Sequence, residues 1–210
     1  MSIRWWTVVL SVLVVCGFAY AQDGERDQLD AQRNLIPNSG FEQPAAANNV
    51  PEGWGFWQNP RFDRKGTVVL DKDVAHEGEQ SARFDNPEGK SVTSLFTPRV
   101  IVVEPGATYT VSAWIKGKDG VKGSSLHLMW GFFDEKNGRV KDGGGRKAFD
   151  FGNEWQRVSA SFEAPEEARG VKIYPRLINQ GAVWIDAIQL EKGDEPTEYV
   201  PGPETKARKK

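Results

Sequence analysis

From residue 34 onward, apolar and polar residues alternate in short runs, and no long segment carries the 3.6-residue period of an amphipathic helix. Tyr109, Val111, Ala113 and Ile115 alternate with Thr110, Ser112, Trp114 and Lys116. Leu126, Leu128, Trp130 and Phe132 alternate with His127, Met129 and Gly131, and Val158, Ala160 and Phe162 alternate with Arg157, Ser159 and Ser161. A period of two puts the first set of each run on a buried face and the second on an open one. Segments 66–70 and 80–84 read as further strands, and 92–103 holds apolar runs broken by Pro98. Turns are marked by Pro105-Gly106, by 117–123 and by the glycine-rich charged stretch 134–146. Many short strands between such turns predict an all-β fold, an antiparallel β-sandwich.

The densest β signal is 171–191, where two arms flank Asn179-Gln180-Gly181. It predicts a β-hairpin with Gly181 free to take positive φ. In the first arm Val171, Ile173 and Leu177 are the inward set; Lys172, Tyr174 and Arg176 face out. Pro175 points to an edge or bulged strand. The second arm is apolar on both sides, as in the middle of a sandwich, except for Asp186, a carboxylate that needs donors or a cation to be tolerated there.

The first residues do not fit this pattern. Arg4 precedes an apolar run over 7–18 that is too short to span a membrane comfortably, and Ala19-Tyr20-Ala21 forms a small-x-small cleavage signature. The expectation is a secretory signal peptide over 1–21, a polar linker over 22–33, one domain over 34–199 and a basic disordered tail over 200–210. Cleavage leaves roughly 190 residues, enough for one sizeable core. Cys16, the one cysteine of the chain, leaves with the leader, so the exported domain is held by its core and not by disulfides. The location expected is the periplasm or the extracellular space. A formal net charge of −2 argues against a dedicated nucleic-acid binder.

Catalytic raw material is thin. Two histidines, His76 and His127, give little for a zinc site or a nucleophilic triad. Gly143-Gly144-Gly145-Arg146 lacks the Gly-Lys-Ser/Thr of a phosphate loop and reads as a surface turn. The acidic residues lie mostly in loops such as Asp134-Glu135 and Glu166-Glu167 and offer no acid/base pair for glycoside hydrolysis. The expectation is a chain that is not an enzyme.

Six landmarks in order carry a resemblance. Asn34-Leu-Ile-Pro-Asn-Ser-Gly-Phe-Glu42, Pro51-Glu-Gly-Trp54, His76-Glu-Gly-Glu-Gln-Ser-Ala-Arg-Phe84, Pro105-Gly-Ala-Thr-Tyr-Thr-Val-Ser-Ala-Trp114, Glu154-Trp-Gln-Arg-Val158 and Val183-Trp-Ile-Asp-Ala-Ile-Gln-Leu190 resemble the carbohydrate-binding modules of the family 4/9 group. The resemblance implies a galactose-binding-like jelly roll and a structural calcium where the first and last strands meet. Its side-chain ligands would be Glu42 and Asp186, completed by carbonyls near Gly40 and around His76 to Gly78. The alternative for both carboxylates is hydrogen bonding to backbone amides.

Sugars are held by flat aromatic faces and by hydrogen bonds to hydroxyls. Parity nominates Trp114, His127, Met129, Arg157, Tyr174, Arg176 and Gln180 for an open concave face, while Trp57 fits either cleft or core. Trp54, Trp130, Trp155 and Trp184 are assigned to the core. The expected function is a secreted, monomeric, non-catalytic module that binds a polysaccharide or related glycan. The competing reading is a structural or adhesion sandwich of an extracellular or envelope assembly with no glycan ligand.

Overall fold

The computed structural model describes residues 33–43, 50–59, 61, 66–88, 92–97, 99–118, 125–141 and 143–205. The expected leader, all of the expected linker but Arg33, and the end of the expected tail (206–210) lie outside them. The described strands are β1 (Gly55–Gln58), β2 (Thr67–Asp71), β3 (Ser81–Asn86), β4 (Val92–Phe96), β5 (Ile101–Val102), β6 (Thr108–Gly117), β7 (Ser125–Phe133), β8 (Gly145–Phe149), β9 (Gln156–Glu163), β10 (Gly170–Ile178) and β11 (Gly181–Lys192). They form two antiparallel sheets. One runs β1-β4-β10-β7-β8, with β5 also pairing β10; the other runs β2-β3-β11-β6-β9.

The inward sets predicted by alternation meet between the sheets. Val111, Ala113 and Ile115 of β6 and Val158, Ala160 and Phe162 of β9 face Leu126, Leu128 and Phe132 of β7 and Val171, Ile173 and Leu177 of β10. Trp130 joins them by stacking on Phe162 with ring centroids 4.6 Å apart. Such ring pairs contribute about 0.5–1.5 kcal/mol beyond their buried area.

The expected hairpin is not one. β10 pairs with β4, β5 and β7, whereas β11 pairs with β3 and β6, so the turn at Asn179 (φ 71°) and Gly181 (φ 153°) carries the chain from one sheet to the other. Alternation and turn chemistry are the same for a hairpin and for this crossing, because both need only two strands and a reversal. Nor is Pro175 on an edge strand. It lies in β10 between two neighbours, at a break on one side: β4 pairs with 176–178 and β5 with 170–171. The break leaves no ladder bond there for its missing N–H to make.

β11 is the central strand of its sheet and carries a bulge between Asp186 and Gln189, with Ala187 at φ 47°. Before the bulge Val183 and Ile185 point into the core; after it Ile188 and Leu190 do. The bulge coincides with a change of neighbour. β3 pairs with 181–185, and beyond that the chain's first described segment takes over, Leu35 N donating to Leu190 O and Ile188 N to Ser39 O. Asn34, fully buried, joins the pieces. Its amide donates to Ile188 O (3.0 Å) and Val200 O (2.9 Å), and its Oδ1 accepts from Ile36 N and Leu190 N.

The far end of the chain straps onto the same strand. Gln189 Oε1 accepts from Val200 N, Glu191 accepts from Thr197 N and Thr197 Oγ1, Ser39 Oγ accepts from Gly202 N, and Pro203 O from Asn38 N. Gly202 lies so close that a Cβ there would sit 1.8 Å from Ile36 O. The boundary expected at 199 therefore falls short: 200–203 are part of the packed domain and not a disordered tail.

Asn34→Ala removes four hydrogen bonds and leaves buried groups unpaired on two segments. It is expected to lower the unfolding free energy by about 3 kcal/mol, at a cost of roughly 1 kcal/mol or more per orphaned group. Urea denaturation checks this; a loss under about 1 kcal/mol would mean that Asn34 is not what joins the chain ends to β11.

Candidate functional site

The outer face of the six-stranded sheet displays a continuous set of rings and cations. In cross-strand register, Trp57 of β1 lies opposite Ser94 of β4, Ser94 opposite Arg176 of β10, Arg176 opposite His127 of β7, and His127 opposite Ala148 of β8. At about 4.8 Å between strands this row is roughly 19 Å wide. The adjoining row holds Tyr174, Met129 and Arg146, and the next Lys172 beside Gly131. The inward partners Val171, Ile173 and Leu177 fix the strand that presents Lys172, Tyr174 and Arg176. His127, Met129, Tyr174 and Arg176 are thus brought together on one face, as alternation predicted, and Trp57, which the sequence left between cleft and core, joins them there.

Two recesses cut this face. One, about 290 Å³, is lined by Trp57, Ser94, Phe96, Lys172, Tyr174 and Arg176. The Arg176 guanidinium lies 5.0 Å from the Trp57 ring centre, and the Phe96 and Tyr174 rings are 6.4 Å apart at 34°. Trp57 is 38% exposed, available to a partner. The other recess, about 600 Å³, includes Met129, Arg139, Lys141, Gly144 and Arg146. Gly131 lies between residues of the two: a Cβ there would lie within about 4 Å of the Tyr174 ring and of Arg139 Nη2.

Phe96, Lys172, Arg139 and Arg146 were not nominated from sequence. Lys172 shares the parity of Tyr174 and was legible. Arg139 and Arg146 sit in the stretch read as a flexible turn, whose end is in fact strand β8. Gly145 opens that strand because the Trp130 indole occupies the place of a side chain, 2.3 Å from where a Cβ would be.

The electrostatics of the face are one-sided. Burial, then the charges of Arg146 and Arg176, lower the His127 pKa below its usual 6.5, so the imidazole is neutral at pH 7. Its Nε2 is 2.9 Å from Ser125 Oγ. Burial, then Arg146, also lowers Arg176. Burial raises Tyr174, opposed by Arg139 and Arg176. Among the described residues no carboxylate lines either recess.

Three nominated residues belong elsewhere. Trp114 and Arg157 are on β6 and β9, in the opposite sheet, and face its own outer side. Trp114 stacks under His76, with ring centroids 3.9 Å apart, and Trp155 lies 5.4 Å from the same imidazole. Arg157 Nη2 donates to Ser112 Oγ and to Thr197 O, holding the end of the chain. Gln180 is exposed in the sheet-to-sheet crossing and donates to Pro87 O. Parity says that a side chain leaves the core but not from which sheet. For the same reason Trp155 and Trp184 are not in the central core; Trp184 donates to Asp71 Oδ2 on the outer side, with Arg83 over its ring.

The carboxylates meet at the 76–80 loop. Asp186 Oδ2 accepts from His76 N (2.8 Å) and Glu77 N (3.1 Å), and its Oδ1 from Ala187 N (2.7 Å). Glu42 accepts from Glu79 N and Gln80 N and packs on Gly78, where a Cβ would lie 2.4 Å from Oε1. At Gly40 a Cβ would lie 3.1 Å from the Tyr199 hydroxyl. Burial, with a smaller push from Glu42, raises Asp186 to about 6 against the three amides. Among the described residues no three His, Cys, Asp or Glu side chains gather to hold a metal, so any cation here would also need carbonyls or water.

The family model of the carbohydrate-binding domain, group 4/9, matches residues 33–178. Among curated proteins, tRNA nuclease WapA of Bacillus subtilis (strain 168) is 24% identical over 182 residues, 82% of this chain and 7% of that protein, so the chain spans a small part of that relative. Among solved structures, the enzymatically active domain of tailspike protein 4 of bacteriophage CBA120 superposes with a TM-score of 0.60 at 16% identity, over 76% of this chain and 21% of that one. The CBM22-1 xylan-binding domain of Paenibacillus barcinonensis Xyn10C superposes with 0.51 at 16% identity, over 75% and 94%. A family 16 carbohydrate-binding module superposes with 0.53 at 18% identity, over 75% and 99%. At these identities the likeness is one of fold.

Asp186→Asn keeps an oxygen for the His76 and Glu77 amides and removes the charge. Because the folded pKa, about 6, lies above the usual 3.8, the fold favours the protonated carboxyl. That contribution is full below about pH 4 and lost as pH rises through about 6. In buffer with a chelator, wild type should lose roughly 3 kcal/mol relative to Asp186→Asn between pH 4 and 7, about 1.4 kcal/mol per pKa unit. Urea unfolding across that range checks it; parallel profiles would show that Asp186 does not carry the effect.

Proposed function

The chain belongs to the carbohydrate-binding domain family of group 4/9, and from that premise we propose that it is an exported, monomeric, non-catalytic module that holds a polysaccharide on the outer face of the six-stranded sheet. The observation that carries this is the recess formed by Trp57, Phe96, Tyr174 and Arg176. Its rings offer flat apolar surfaces to the C–H faces of sugar rings, while Lys172 and Arg176 supply polar atoms for hydroxyls at fixed places. A row roughly 19 Å wide suits a chain of several sugars better than a single one. The described lining holds no carboxylate pair to act as acid and base, which supports capture without turnover. The xylan-binding domain of similar fold supports a polysaccharide as the ligand class. The sequence signature over 1–21 supports export.

Affinity for a soluble oligosaccharide is expected at about 10 µM to 1 mM, or roughly −7 to −4 kcal/mol. A glycan array followed by titration calorimetry on the best ligand tests the reading. Trp57→Ala and Tyr174→Ala should each weaken binding about tenfold or more, the loss typical of a central aromatic anchor. Trp114→Ala, on the opposite sheet, should lower the melting temperature and leave affinity within about twofold. Retention of no glycan, or full affinity in both ring variants, would sink the proposal and favour an adhesion or spacer module.

We further propose that Glu42 and Asp186 share a calcium ion, with carbonyls near Gly40 and over 76–78 completing an oxygen set. The fit rests on two carboxylates brought to one loop, close enough for Glu42 to raise Asp186. Asp186 Oδ1 and Glu42 Oε2 each accept one amide and so keep a lone pair for a cation, whereas Asp186 Oδ2 and Glu42 Oε1 each already accept two. Bound there, a dication would supply the charge compensation that the amides supply only in part. At pH 7.5 a chelator should lower the melting temperature of wild type and calcium restore it, with little change in Asp186→Asn. An unchanged wild-type melting temperature counts against a metal.

A further inference from the structure

Four cationic side chains reach the two adjoining recesses from three different parts of the chain: Arg139 from the β7–β8 connection, Arg146 from β8, and Lys172 and Arg176 from β10. Among the described residues none of the four has a carboxylate within ion-pair distance. The described Arg and Lys ion pairs lie elsewhere, at Arg83 with Asp71 and Asp85 and at Lys192 with Glu104. The chain as a whole is slightly acidic, 29 acidic against 27 basic residues, so this face is not a sample of its average surface. The positive charges are near enough to oppose one another, Arg146 lowering both Arg176 and His127. Arg176 Nε and His127 Nδ1 are buried with no hydrogen-bond partner. Neutral sugars do not require such a cluster. Arg176 is half-buried without an anion, and its desolvation cost is one that an oxyanion, taken by paired N–H donors, offsets; Arg139 and Arg146 stand exposed beside it, open to the same anion.

We infer that the glycan held on this face is acidic, a polysaccharide whose carboxylate or sulfate groups meet Arg139, Arg146, Lys172 and Arg176 while its sugar rings lie on Trp57 and Tyr174. This rests on the reading that the face binds glycan at all. Carboxylate and sulfate share the recognising chemistry, a delocalised oxyanion opposite a guanidinium. The rings beside the cations distinguish a polysaccharide from a simple anion.

The test is calorimetric titration of the full chain at about 50 mM and 300 mM salt, where the screening length falls from roughly 14 to 6 Å. The probes are an oligogalacturonate, the same oligosaccharide with its carboxyls reduced, a chondroitin sulfate, poly-glutamate and single-stranded poly(U). The expected result is at least tenfold tighter binding of the oligogalacturonate or the chondroitin sulfate than of the reduced, neutral sugar, weakened by salt. Whichever of the two binds more tightly identifies the anion. Arg146→Gln and Lys172→Gln, checked for unchanged melting temperature, should cut the preference to threefold or less, and Lys118→Gln, away from this face, should leave it intact. Equal binding of the acidic and reduced sugars overturns the acidic ligand but leaves glycan binding standing. Binding of neither sugar nor the sulfated glycan overturns both. Poly-glutamate or poly(U) binding as tightly as the acidic glycan overturns the inference in favour of a charge-only or nucleic-acid surface, as would a preference that survives Arg146→Gln and Lys172→Gln.

Discussion

The bulge in β11 is the constraint from which the rest of the architecture follows. A central strand buried on both sides has no solvent to satisfy its polar groups, yet this one carries Asp186, Gln189 and Glu191, all buried. Each is met by backbone donors or side chains from distant segments: the 76–77 amides at Asp186, Val200 N at Gln189, Thr197 at Glu191. An unmet group in such a place costs more than a met one contributes. The folded arrangement is therefore specified by where partners are present, and the two ends of the described chain are drawn to one strand. The shift at Asp186 also changes which residues face the core, allowing Val183 and Ile185 on one side and Ile188 and Leu190 on the other to fill the same interior.

The central strand of the opposite sheet, β10, carries no carboxylate, and that is where the candidate site lies. β10 presents an almost strict alternation, Val171, Ile173 and Leu177 inward and Lys172, Tyr174 and Arg176 outward. Strand β7 packs beside it in full register from Ser125 to Phe133. The outward row inherits its rigidity from the inward one, because a side chain in a packed core fixes the backbone that carries its neighbours. A site built this way needs no moving loop in order to present its rings, and Trp57 arrives at the same row from β1 through Ser94.

How much of this could be read from the chain depends on what alternation encodes. It names inward and outward residues within a strand, and the inward sets of β6, β7, β9 and β10 are the observed core. It does not say to which sheet a strand belongs. Trp114 and Tyr174 have the same outward parity, but one stacks under His76 on one side of the sandwich and the other lines a recess on the far side. The 171–191 segment misled for the same reason, since a turn between two strands fits a hairpin and a crossing equally. Arg139 and Arg146 were hidden by glycines that signal a turn, one of which, Gly145, here admits the Trp130 indole. The six landmarks were legible because most serve the scaffold: Asn34, Glu42, Trp54, Gly78 and Asp186 all engage buried backbone or the core.

Two charged clusters, one at the 76–80 loop and one on the outer face of the six-stranded sheet, are treated differently. The Glu42 and Asp186 carboxylates receive amide donors that hold much of their charge, so that cluster belongs to the scaffold and changes there are changes in stability. The cations on the other face receive rings, such as Trp57 against Arg176 and Phe96 and Phe133 against Lys172. An aromatic face stabilises a cation by about 0.5–2 kcal/mol, less than an anion with paired acceptors can provide. A cation held in this way is positioned but not neutralised. Rings that orient a guanidinium while leaving its charge available make the same residues serve two purposes: flat surface for an apolar sugar face and donor for whatever oxygen lies beside it. That arrangement favours a ligand presenting both at once, at a spacing the strands set, over one presenting either alone.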